Sequence, residues 1–273
     1  MSEKIAVDLG DVQKTLFLPL WGRAQETVKP NPLLVDRTAL EIIEKVDFDF
    51  STITRNISEL SQVGWIMRSI SVDDVIKSFL EKHPKATIVN IGCGLDTTFD
   101  RVDNGYLLWY DLDLPDVISL RRRFIQKRDR QETLSASFLE EGWLKKITVS
   151  DGILFVASGV FYYFQEEDIK GFFKILADEF PGGEIVFDAC SPLGVKAANQ
   201  MVVKSAGMDE RSFLKWGVAH AEDILYWDKR FELLKTIYYF GDKRIRLKVR
   251  LLGFISDLLK IQYMVHLRLG ESH

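Results

Sequence analysis

The amino-acid sequence predicts an α/β fold, in which a mostly parallel β-sheet carries helices on both faces and follows a helical N-terminal segment. Beyond residue 85, short apolar runs rich in β-branched residues alternate with segments of helical periodicity, which is typical of buried parallel strands joined by helices. Residues 1–84 instead carry apolar side chains at helical spacing. We therefore expect a single domain over residues 1–273, with 1–84 as a helical cap and 85–273 as the core.

Composition and charge argue against several classes of protein. The chain has 273 residues, of which 47% are hydrophobic and 28% charged, an ordinary globular balance. Its net charge of −4 argues against nucleic-acid binding, and no window approaches the run of about 20 apolar residues that a membrane span requires. The N-terminus shows no signal-peptide pattern, and the two cysteines, Cys93 and Cys190, lie far apart. We expect a reduced, cytoplasmic protein without a metal site or a membrane partner.

The helices of the N-terminal segment are predicted from their caps. Asp36 is placed to cap a helix over residues 38–46, where apolar residues recur at helical spacing. Ser71 is placed to cap a second helix over residues 72–82. The His83-Pro84 pair is expected to end that helix, because the residue before a proline disfavours the helical conformation.

Apolar runs predict the strands of the core, because each is short, apolar and rich in β-branched or aromatic residues. The predicted strands are residues 86–91, 106–110, 152–157 and 184–189. A basic helix is expected after Pro115, and an amphipathic helix over residues 166–180. Near the C-terminus, residues 231–240 and 262–269 are predicted to pair as antiparallel strands that complete the sheet. The alternation of basic and apolar residues over 243–250 predicts a further, half-buried strand.

A glycine loop and an acidic pair predict a nucleotide-type cofactor site. Gly92-Cys93-Gly94 directly follows the first core strand, and Asp111 and Asp113 lie about twenty residues later, at the end of the second strand. Glycines let the backbone approach a ligand closely, and a carboxylate at the strand tip can accept both ribose hydroxyl protons. A tight turn without a ligand is the alternative.

Two classes of cofactor use this arrangement. A dinucleotide needs a third glycine so that a helix N-terminus can reach the pyrophosphate, and that position is Thr97, preceded by Asp96. Because a negative charge beside a pyrophosphate is unfavourable, we expect a cofactor that is uncharged at this point, such as S-adenosylmethionine. A nicotinamide-dependent oxidoreductase is the less favoured alternative.

Six segments occur in the order found in one known family. They are KTLFLPLWGRA, GWIMRSISVDDVIKSFL, TIVNIGCGLDTTFDRV, YDLDLPDVISLRR, ASGVFYYF and FPGGEIVFDA. Through them the chain, to about residue 191, resembles the leucine carboxyl methyltransferase family, including bacterial relatives similar to polyketide O-methyltransferases. The resemblance implies a Rossmann-like class I methyltransferase fold with a seven-stranded sheet. It also implies S-adenosyl-L-methionine as cofactor and methyl transfer to a carboxylate or hydroxyl oxygen of a small, polyketide-like molecule.

The resemblance further implies which residues hold the methionine end of the cofactor. Lys14 and Arg68 are implied to bind the methionine carboxylate, which needs a charged partner that arginine provides with two hydrogen bonds. We expect Arg68 at a bend just before the Ser71 cap. Gly92 is implied as the loop glycine, and Gly94 as support for the turn.

At the ribose and adenine ends, the implied contacts include two departures from the family pattern. Asp113 is implied as the ribose ligand, with Asp111 as the alternative, because strand alternation can orient either side chain inward. Where the family often has Asp-Leu, this chain has Ser137-Phe138, which can still hydrogen-bond and stack on adenine. Ser158 replaces an acidic residue after the fourth strand, so a charge is missing there. A catalytically silent protein that keeps the fold is therefore another alternative.

Two aromatic residues and one histidine are candidates for catalysis. Tyr162 and Tyr163 follow the strand at 152–157, and an aromatic face near a sulfonium is favourable through cation–π attraction. Core or lid packing is the alternative for each. His220 is a candidate general base for a hydroxyl acceptor, with a structural role as the alternative. The basic residues over 121–130 indicate a solvated helix face.

Residues 12–35 are expected to form a lid. This segment is rich in large apolar side chains and also carries Lys14 and Arg23. Open α/β sheets bind ligands at the carboxyl ends of their strands, and a lid there excludes water and contacts an apolar acceptor. We therefore expect a small, partly hydrophobic acid or phenol as the methyl acceptor.

Overall fold

The computed structural model describes residues 4–6, 16–55, 57–200 and 213–270. Its strands are β1 (Ile5–Ala6), β2 (Val46–Asp47), β3 (Thr87–Ile91), β4 (Leu108–Asp113), β5 (Gln131–Ser135), β6 (Ile153–Ala157), β7 (Gly183–Ala189), β8 (Glu232–Ile237) and β9 (Tyr263–Leu269). Its α-helices are α1 (Phe17–Thr27), α2 (Arg37–Lys45), α3 (Ser51–Thr54), α4 (Glu59–Lys82), α5 (Thr98–Val102), α6 (Pro115–Phe124), α7 (Glu166–Glu179), α8 (Pro192–Ala198) and α9 (Leu247–Leu258). Short 3-10 helices lie at Glu141–Lys146, Phe161–Tyr163 and Ala221–Tyr226.

Seven strands form one sheet in the order β5-β4-β3-β6-β7-β9-β8, and β1 pairs with β2 apart from it. Strands β3 to β7 pair with their neighbours in parallel, whereas β9 is antiparallel to both β7 and β8. The predicted α/β fold and the predicted antiparallel pair are both confirmed. Strand order reverses between β3 and β6, and such a switch point opens a ligand crevice at the carboxyl ends of the strands.

Both faces of this sheet are buried, which explains why its strands could be recognised as apolar runs. Val89 and Phe155 join a cluster that includes side chains of α7. Their neighbours Ile88 and Leu154 join a second cluster that includes side chains of α4. Since successive side chains point to opposite faces, a strand covered on both sides is apolar throughout.

Helix α4 differs from the helix predicted over residues 72–82. It begins at Glu59 after Ser58, whose hydroxyl accepts a backbone N–H at 3.0 Å, and it ends at Lys82. The predicted cap at Ser71 is wrong, because Ser71 lies inside this continuous helix, and Arg68 likewise sits within the helix rather than at a bend. The reason is burial: residues 63–73 are all buried, so the polar and apolar alternation of a surface helix is absent there.

Two C-terminal and edge elements also differ from expectation. Residues 243–250 do not form a strand; a turn is followed by helix α9, which begins at Leu247. Leucine, lysine and arginine are strong helix formers, and this propensity prevails over the alternating pattern. Strand β5 was not predicted, because its sequence QETLS is polar, as suits the edge of a sheet.

A buried carboxylate ties the N-terminal helices to the core. Asp36 caps α2 as predicted, by accepting the backbone N–H of Ala39 at 2.9 Å. Its other oxygen accepts hydrogen bonds from Arg23 Nε at 2.8 Å and Thr97 Oγ1 at 2.5 Å, and from Arg101 at 3.2 Å. Burial alone would raise the pKa of Asp36, but the guanidinium groups and the hydrogen bonds lower that pKa below its ordinary value. Helix α1 is thereby held beside the loop that follows β3.

None of the helices within the described ranges is long and apolar enough to cross a membrane.

Candidate active site

The loop after β3 has a shape that requires glycine at two positions. Gly92 and Gly94 adopt φ values of +63° and +45°, in the left-handed region that side chains disfavour. A Cβ on Gly92 would lie 2.5 Å from Cγ2 of Val160, and one on Gly94 would lie 2.8 Å from Cδ2 of Leu16. The loop backbone is therefore in close contact with the start of α1 and with the segment after β6, at the switch point of the sheet.

Asp113 lies at the tip of β4, next to this loop. One oxygen of its carboxylate accepts the backbone N–H of Gly94 at 2.7 Å, and the other accepts that of Leu114 at 2.8 Å. Burial raises the pKa of Asp113, against the lowering effect of these N–H groups. The side chain stays partly exposed and lines a cleft, so further lone pairs are available to a ligand.

Asp111 is placed differently. It is 1% exposed, and Arg121 and Gln131 donate to one of its oxygens at 2.9 and 2.7 Å. Asn90 and Trp109 donate to the other oxygen at 3.2 and 2.9 Å. Its carboxylate is occupied inside the protein, so Asp113 is the member of the pair that faces a ligand cleft.

The basic run on α6 is only partly the solvated face that was predicted. Arg121 is 4% exposed and donates to the carbonyl oxygens of Gly94 and Asp96 at 3.1 and 2.6 Å, in addition to its ion pair with Asp111. Arg121 therefore stabilises the glycine loop through its carbonyl groups, from inside the protein. The sequence alone does not distinguish Arg121 from its exposed neighbours Arg122 and Arg123.

Asp96 occupies the position that a dinucleotide pyrophosphate would require. Its carboxylate accepts the backbone N–H and the hydroxyl of Thr98 at 2.9 and 3.0 Å, at the start of α5. Burial would raise the pKa of Asp96, but Arg23, Arg101 and the Thr98 N–H lower it, so the group remains a carboxylate. The helix N-terminus is thus already occupied by a negative charge of the chain itself.

Two clefts meet above the glycine loop. The first, which we call the apolar cleft, lies beside Asp113, and its walls include Ser137 and Phe138. Phe138 is held edge-on by Phe164 and Phe172, with ring centroids 4.6 and 4.9 Å away. The second, the polar cleft, is lined by several of the predicted residues. These are Arg68, Gly92, Gly94 and Ser158.

Arg68 is the buried cation of the polar cleft. It is 6% exposed and donates to Asp188 Oδ2 at 2.8 Å and to the Tyr162 hydroxyl at 3.2 Å. Within the described part of the chain, its Nε has no hydrogen-bond partner. Burial lowers the pKa of this guanidinium, but the Asp188 carboxylate raises it further, so the group stays charged.

Asp188 was missed by the sequence interpretation, although it lies in the segment FPGGEIVFDA at the end of β7. Its carboxylate joins three elements, because it accepts hydrogen bonds from Arg68, from the backbone N–H of Gly159 at 2.6 Å and from Gln262 at 3.0 Å. A lone Asp among apolar residues at the carboxyl end of a parallel strand is the signal that could have identified it.

A third, mostly apolar cavity of about 210 Å³ adjoins the polar cleft; we call it the acceptor cavity. Its apolar walls include Leu18, Leu60, Trp65, Leu214, Tyr239, Phe240 and Ile261. Arg68, Tyr162 and Pro19 line both this cavity and the polar cleft. Tyr163 lines the apolar cleft, the polar cleft and the acceptor cavity. Helix α1, which belongs to the segment predicted as a lid, supplies walls of these cavities, and residues 12–15 of that segment lie outside the described residues.

One predicted residue, His220, is not brought to this site. His220 is exposed, and its Nδ1 lies 2.7 Å from Lys260 Nζ; it lines neither cleft and not the acceptor cavity. Lys14 lies outside the described residues. Among the residues that are described, no group of three or more His, Cys, Asp or Glu side chains is arranged to hold a metal ion.

Comparisons with known proteins decide the family. The profile of the leucine carboxyl methyltransferase family matches residues 17–177, and the tetracenomycin polyketide synthesis O-methyltransferase TcmP of Streptomyces glaucescens is 30% identical over 220 residues. The chain belongs to the leucine carboxyl methyltransferase family. That match covers 80% of this chain and 79% of TcmP. The S-adenosyl-L-methionine-dependent methyltransferase dpfgK of Gibberella zeae is 26% identical over 205 residues, which are 68% of this chain and 69% of that protein.

Solved structures agree on the fold. A DUF574 family protein from Streptomyces avermitilis covers 91% of this chain and 96% of its own, with a TM-score of 0.57 and 11% identity. Magnesium protoporphyrin IX methyltransferase of Synechocystis, solved with bound S-adenosylhomocysteine, covers 87% and 100%, with a TM-score of 0.50 and 12% identity.

This member of the leucine carboxyl methyltransferase family is therefore an S-adenosylmethionine-dependent methyltransferase with a class I fold. The comparisons favour this assignment over a nicotinamide-dependent oxidoreductase and over a catalytically silent protein. Strand β7 and everything after it lie beyond the family match, and they supply much of the acceptor cavity, including Leu214, Tyr239, Phe240 and Ile261. Membership of the family therefore establishes the cofactor and the type of reaction. It does not establish the identity of the methyl acceptor.

Proposed function

We propose that this methyltransferase transfers a methyl group to an oxygen of a small, largely apolar molecule, and that a carboxylate is the preferred acceptor. The observation that carries this proposal is the meeting of the apolar cleft, the polar cleft and the acceptor cavity at Tyr163. The two clefts suit the two ends of the cofactor, and the acceptor cavity opens where they join.

The residues of the two clefts fit S-adenosylmethionine. Asp113 would accept hydrogen bonds from the ribose hydroxyls, and the Phe138 ring and Ser137 hydroxyl would contact the adenine. At the other end, Arg68 would bind the methionine carboxylate, which would also meet the hydrogen-bonding need of its buried Nε. Lys14 remains a proposed second cation. Ser158 lines the polar cleft without a charge.

When bound, the cofactor supplies an electrophilic methyl group on a sulfonium. The Tyr163 ring, at the junction of the cavities, would stabilise this cation through its π face. Leu16, Leu18 and Pro19 at the start of α1 would keep water away from it. The main task of the chain is then to hold the acceptor oxygen in line and close.

The acceptor cavity provides no evident base, which favours an acceptor that is already anionic. Its described lining contains no Asp, Glu, His or Lys. Burial raises the pKa of the Tyr162 phenol far above its ordinary value, so that group stays protonated. A carboxylate is ionised at neutral pH and needs no proton removal, whereas an alcohol would need a base that this cavity does not offer.

The test is a methyl-transfer assay with radiolabelled S-adenosylmethionine on matched pairs of acceptors. Each pair contains an apolar carboxylic acid and the alcohol of the same skeleton. We expect transfer to acids only, and a product whose label is released by ester hydrolysis. Transfer to the alcohols with none to the acids would contradict the preference for a carboxylate.

A pair of variants at Tyr163 separates the role of its ring from that of its hydroxyl. Tyr163→Phe keeps the aromatic face and should retain most of the turnover, whereas Tyr163→Ala should lose it. Equal losses in the two variants would show that the hydroxyl matters instead.

We further propose that residues 1–273 act as one domain in a reduced, cytoplasmic setting, on a small molecule rather than on nucleic acid. The two free, buried cysteines support the reducing compartment. The concave, mostly apolar lining of the acceptor cavity supports a small-molecule acceptor.

A further inference from the structure

Helix α9 exposes an unusually apolar surface. Sixteen large apolar side chains are exposed in the described part of the chain, and seven of them lie on or directly after this helix. They are Leu247, Leu251, Leu252, Phe254, Ile255, Leu258 and Leu259, with exposed fractions from 46% to 69%. Such a concentration on one element marks an interaction surface.

One side of the helix packs against the rest of the protein. Val249 and Gly253 are its buried positions, and a Cβ on Gly253 would lie 2.1 Å from Cγ of Phe240. The opposite side, centred on Leu251, Leu258 and Ile255, points outward over about half of the helix circumference at 3.6 residues per turn. This outward side is a convex apolar ridge.

Basic residues flank the ridge, mostly at its N-terminal end. Residues 242–260 contain six Lys or Arg and two Asp, a net charge of +4 in a chain whose total is −4. Lys243 and Lys248 are exposed, whereas the exposed Arg246 is paired with Glu59 of α4. A positive segment on an otherwise acidic protein favours a negatively charged partner.

Charge and shape together identify the partner. A second copy of the chain paired through this helix would place two segments of charge +4 against each other, which like-charge repulsion disfavours. A helix with apolar side chains on its outer face and flexible basic side chains around them is instead suited to the boundary between lipid headgroups and acyl chains. In place of the expectation that the protein has no membrane partner, we propose that α9 seats it on an anionic lipid bilayer as an interfacial helix.

Helix α9 lies next to the acceptor cavity, which suggests a function for membrane docking. Ser256 and Ile261, on and just after the helix, line the acceptor cavity, as does Phe240, against which Gly253 packs. Seating α9 on a bilayer would bring this cavity to the membrane surface. An apolar acceptor dissolved in lipid would then enter without crossing water; this last step rests on the proposed function, whereas the docking itself does not.

Sedimentation of the full-length protein with vesicles tests the docking. We expect binding to vesicles that contain phosphatidylserine, weak binding to pure phosphatidylcholine, and release from the former at high salt. The double variant Leu251→Ser/Phe254→Ser should bind at least tenfold more weakly. Tyr106→Ser, which removes a side chain that is 65% exposed elsewhere, should bind as the wild type does.

Variants that remove positive charges test the electrostatic part of the proposal in the same vesicle assay. Lys243→Gln/Lys248→Gln should reduce partitioning about 25-fold, from about fivefold for each basic residue near an anionic surface. Lys145→Gln/Lys146→Gln, two exposed lysines on the 3-10 helix after β5, should have no effect.

Three outcomes would overturn the proposal: no binding to the anionic vesicles, equal loss in the control variants, or a solution dimer that Leu251→Ser/Phe254→Ser dissociates while vesicles bind nothing. Because vesicle binding is measured without methyl transfer, its failure is separate from any failure of the proposed acceptor chemistry.

Discussion

Replacement of Asp113 by asparagine is the sharpest test of the cofactor site. The substitution keeps the size of the side chain, and its amide oxygen can still accept one of the two backbone N–H groups that the carboxylate holds. The amide nitrogen cannot accept a ribose hydroxyl. A hydrogen bond to a charged group contributes about 1.5–3 kcal/mol. The Kd for S-adenosylmethionine should therefore rise by about 10- to 150-fold.

Isothermal titration calorimetry of the purified variant measures this change. S-adenosylhomocysteine carries the same ribose, so its affinity should fall by the same factor as that of S-adenosylmethionine. Asp129→Asn, an exposed position after α6, serves as the matched control. Unchanged affinity in a variant with a normal thermal transition would refute the ribose role of Asp113.

The same carboxylate predicts a pH dependence. Burial raises the pKa of Asp113 above its ordinary value, so the group protonates at a higher pH than an exposed aspartate. Only the ionised form accepts both ribose hydroxyls. Cofactor affinity should thus fall as the pH is lowered through this raised pKa, and the decline should be absent in Asp113→Asn. A decline of equal size in that variant would assign the titration to another group.

The remaining predictions concern buried contacts around the site. Arg68→Leu leaves Asp188 buried without its cation, so the free energy of unfolding should fall by about 3–5 kcal/mol together with cofactor affinity. Arg68→Lys should restore part of each in denaturant melts and calorimetry, and no restoration would argue against a charge role. Asp36→Asn should lower the free energy of unfolding at neutral pH by about 3 kcal/mol, because the buried guanidinium of Arg23 loses its anion and Arg101 keeps only Asp73. Since the folded-state pKa of Asp36 is depressed, this contribution is present above its ordinary pKa and is lost as the pH falls through the depressed value; a pH-independent difference in urea melts would contradict it. Gly92→Ala forces a side chain into the left-handed region, at a cost of about 1–2 kcal/mol, and toward Val160, so a variant with wild-type cofactor affinity would show that the loop does not need this close approach.

The parts of the fold that could be predicted are those whose signal is local. Strand β3 is rich in buried β-branched residues because both of its faces are covered, and Gly92 and Gly94 mark a loop whose left-handed backbone side chains disfavour. Asp36 was recognisable as a cap because capping depends on residues three positions away.

The parts that could not be predicted depend on contacts between distant residues. Arg121 and Asp188 are charged residues in ordinary surroundings along the chain, and only the packed sheet shows that they are buried partners within the site. Ser71 failed as a cap because residues 63–73 of α4 are all buried and have no amphipathic pattern. The alternation over 243–250 misled for a different reason: Ile245, Leu247 and Val249 are spaced like one face of a half-buried strand, although Leu247 is exposed and the other two are buried in a turn and a helix.

The way the glycine loop is secured has a thermodynamic consequence. The backbone N–H groups of Gly92 and Cys93 both donate to the carbonyl of Leu112, at 2.8 and 3.1 Å, and Arg121 and Asp113 fix Gly94 from either side. The conformational entropy of this segment is lost when the chain folds, so none of it remains to be lost when a ligand arrives. Amide hydrogens of the ligand-free loop should consequently exchange with solvent nearly as slowly as those of β3, and ligand association should show the fast kinetics of a site that is already formed.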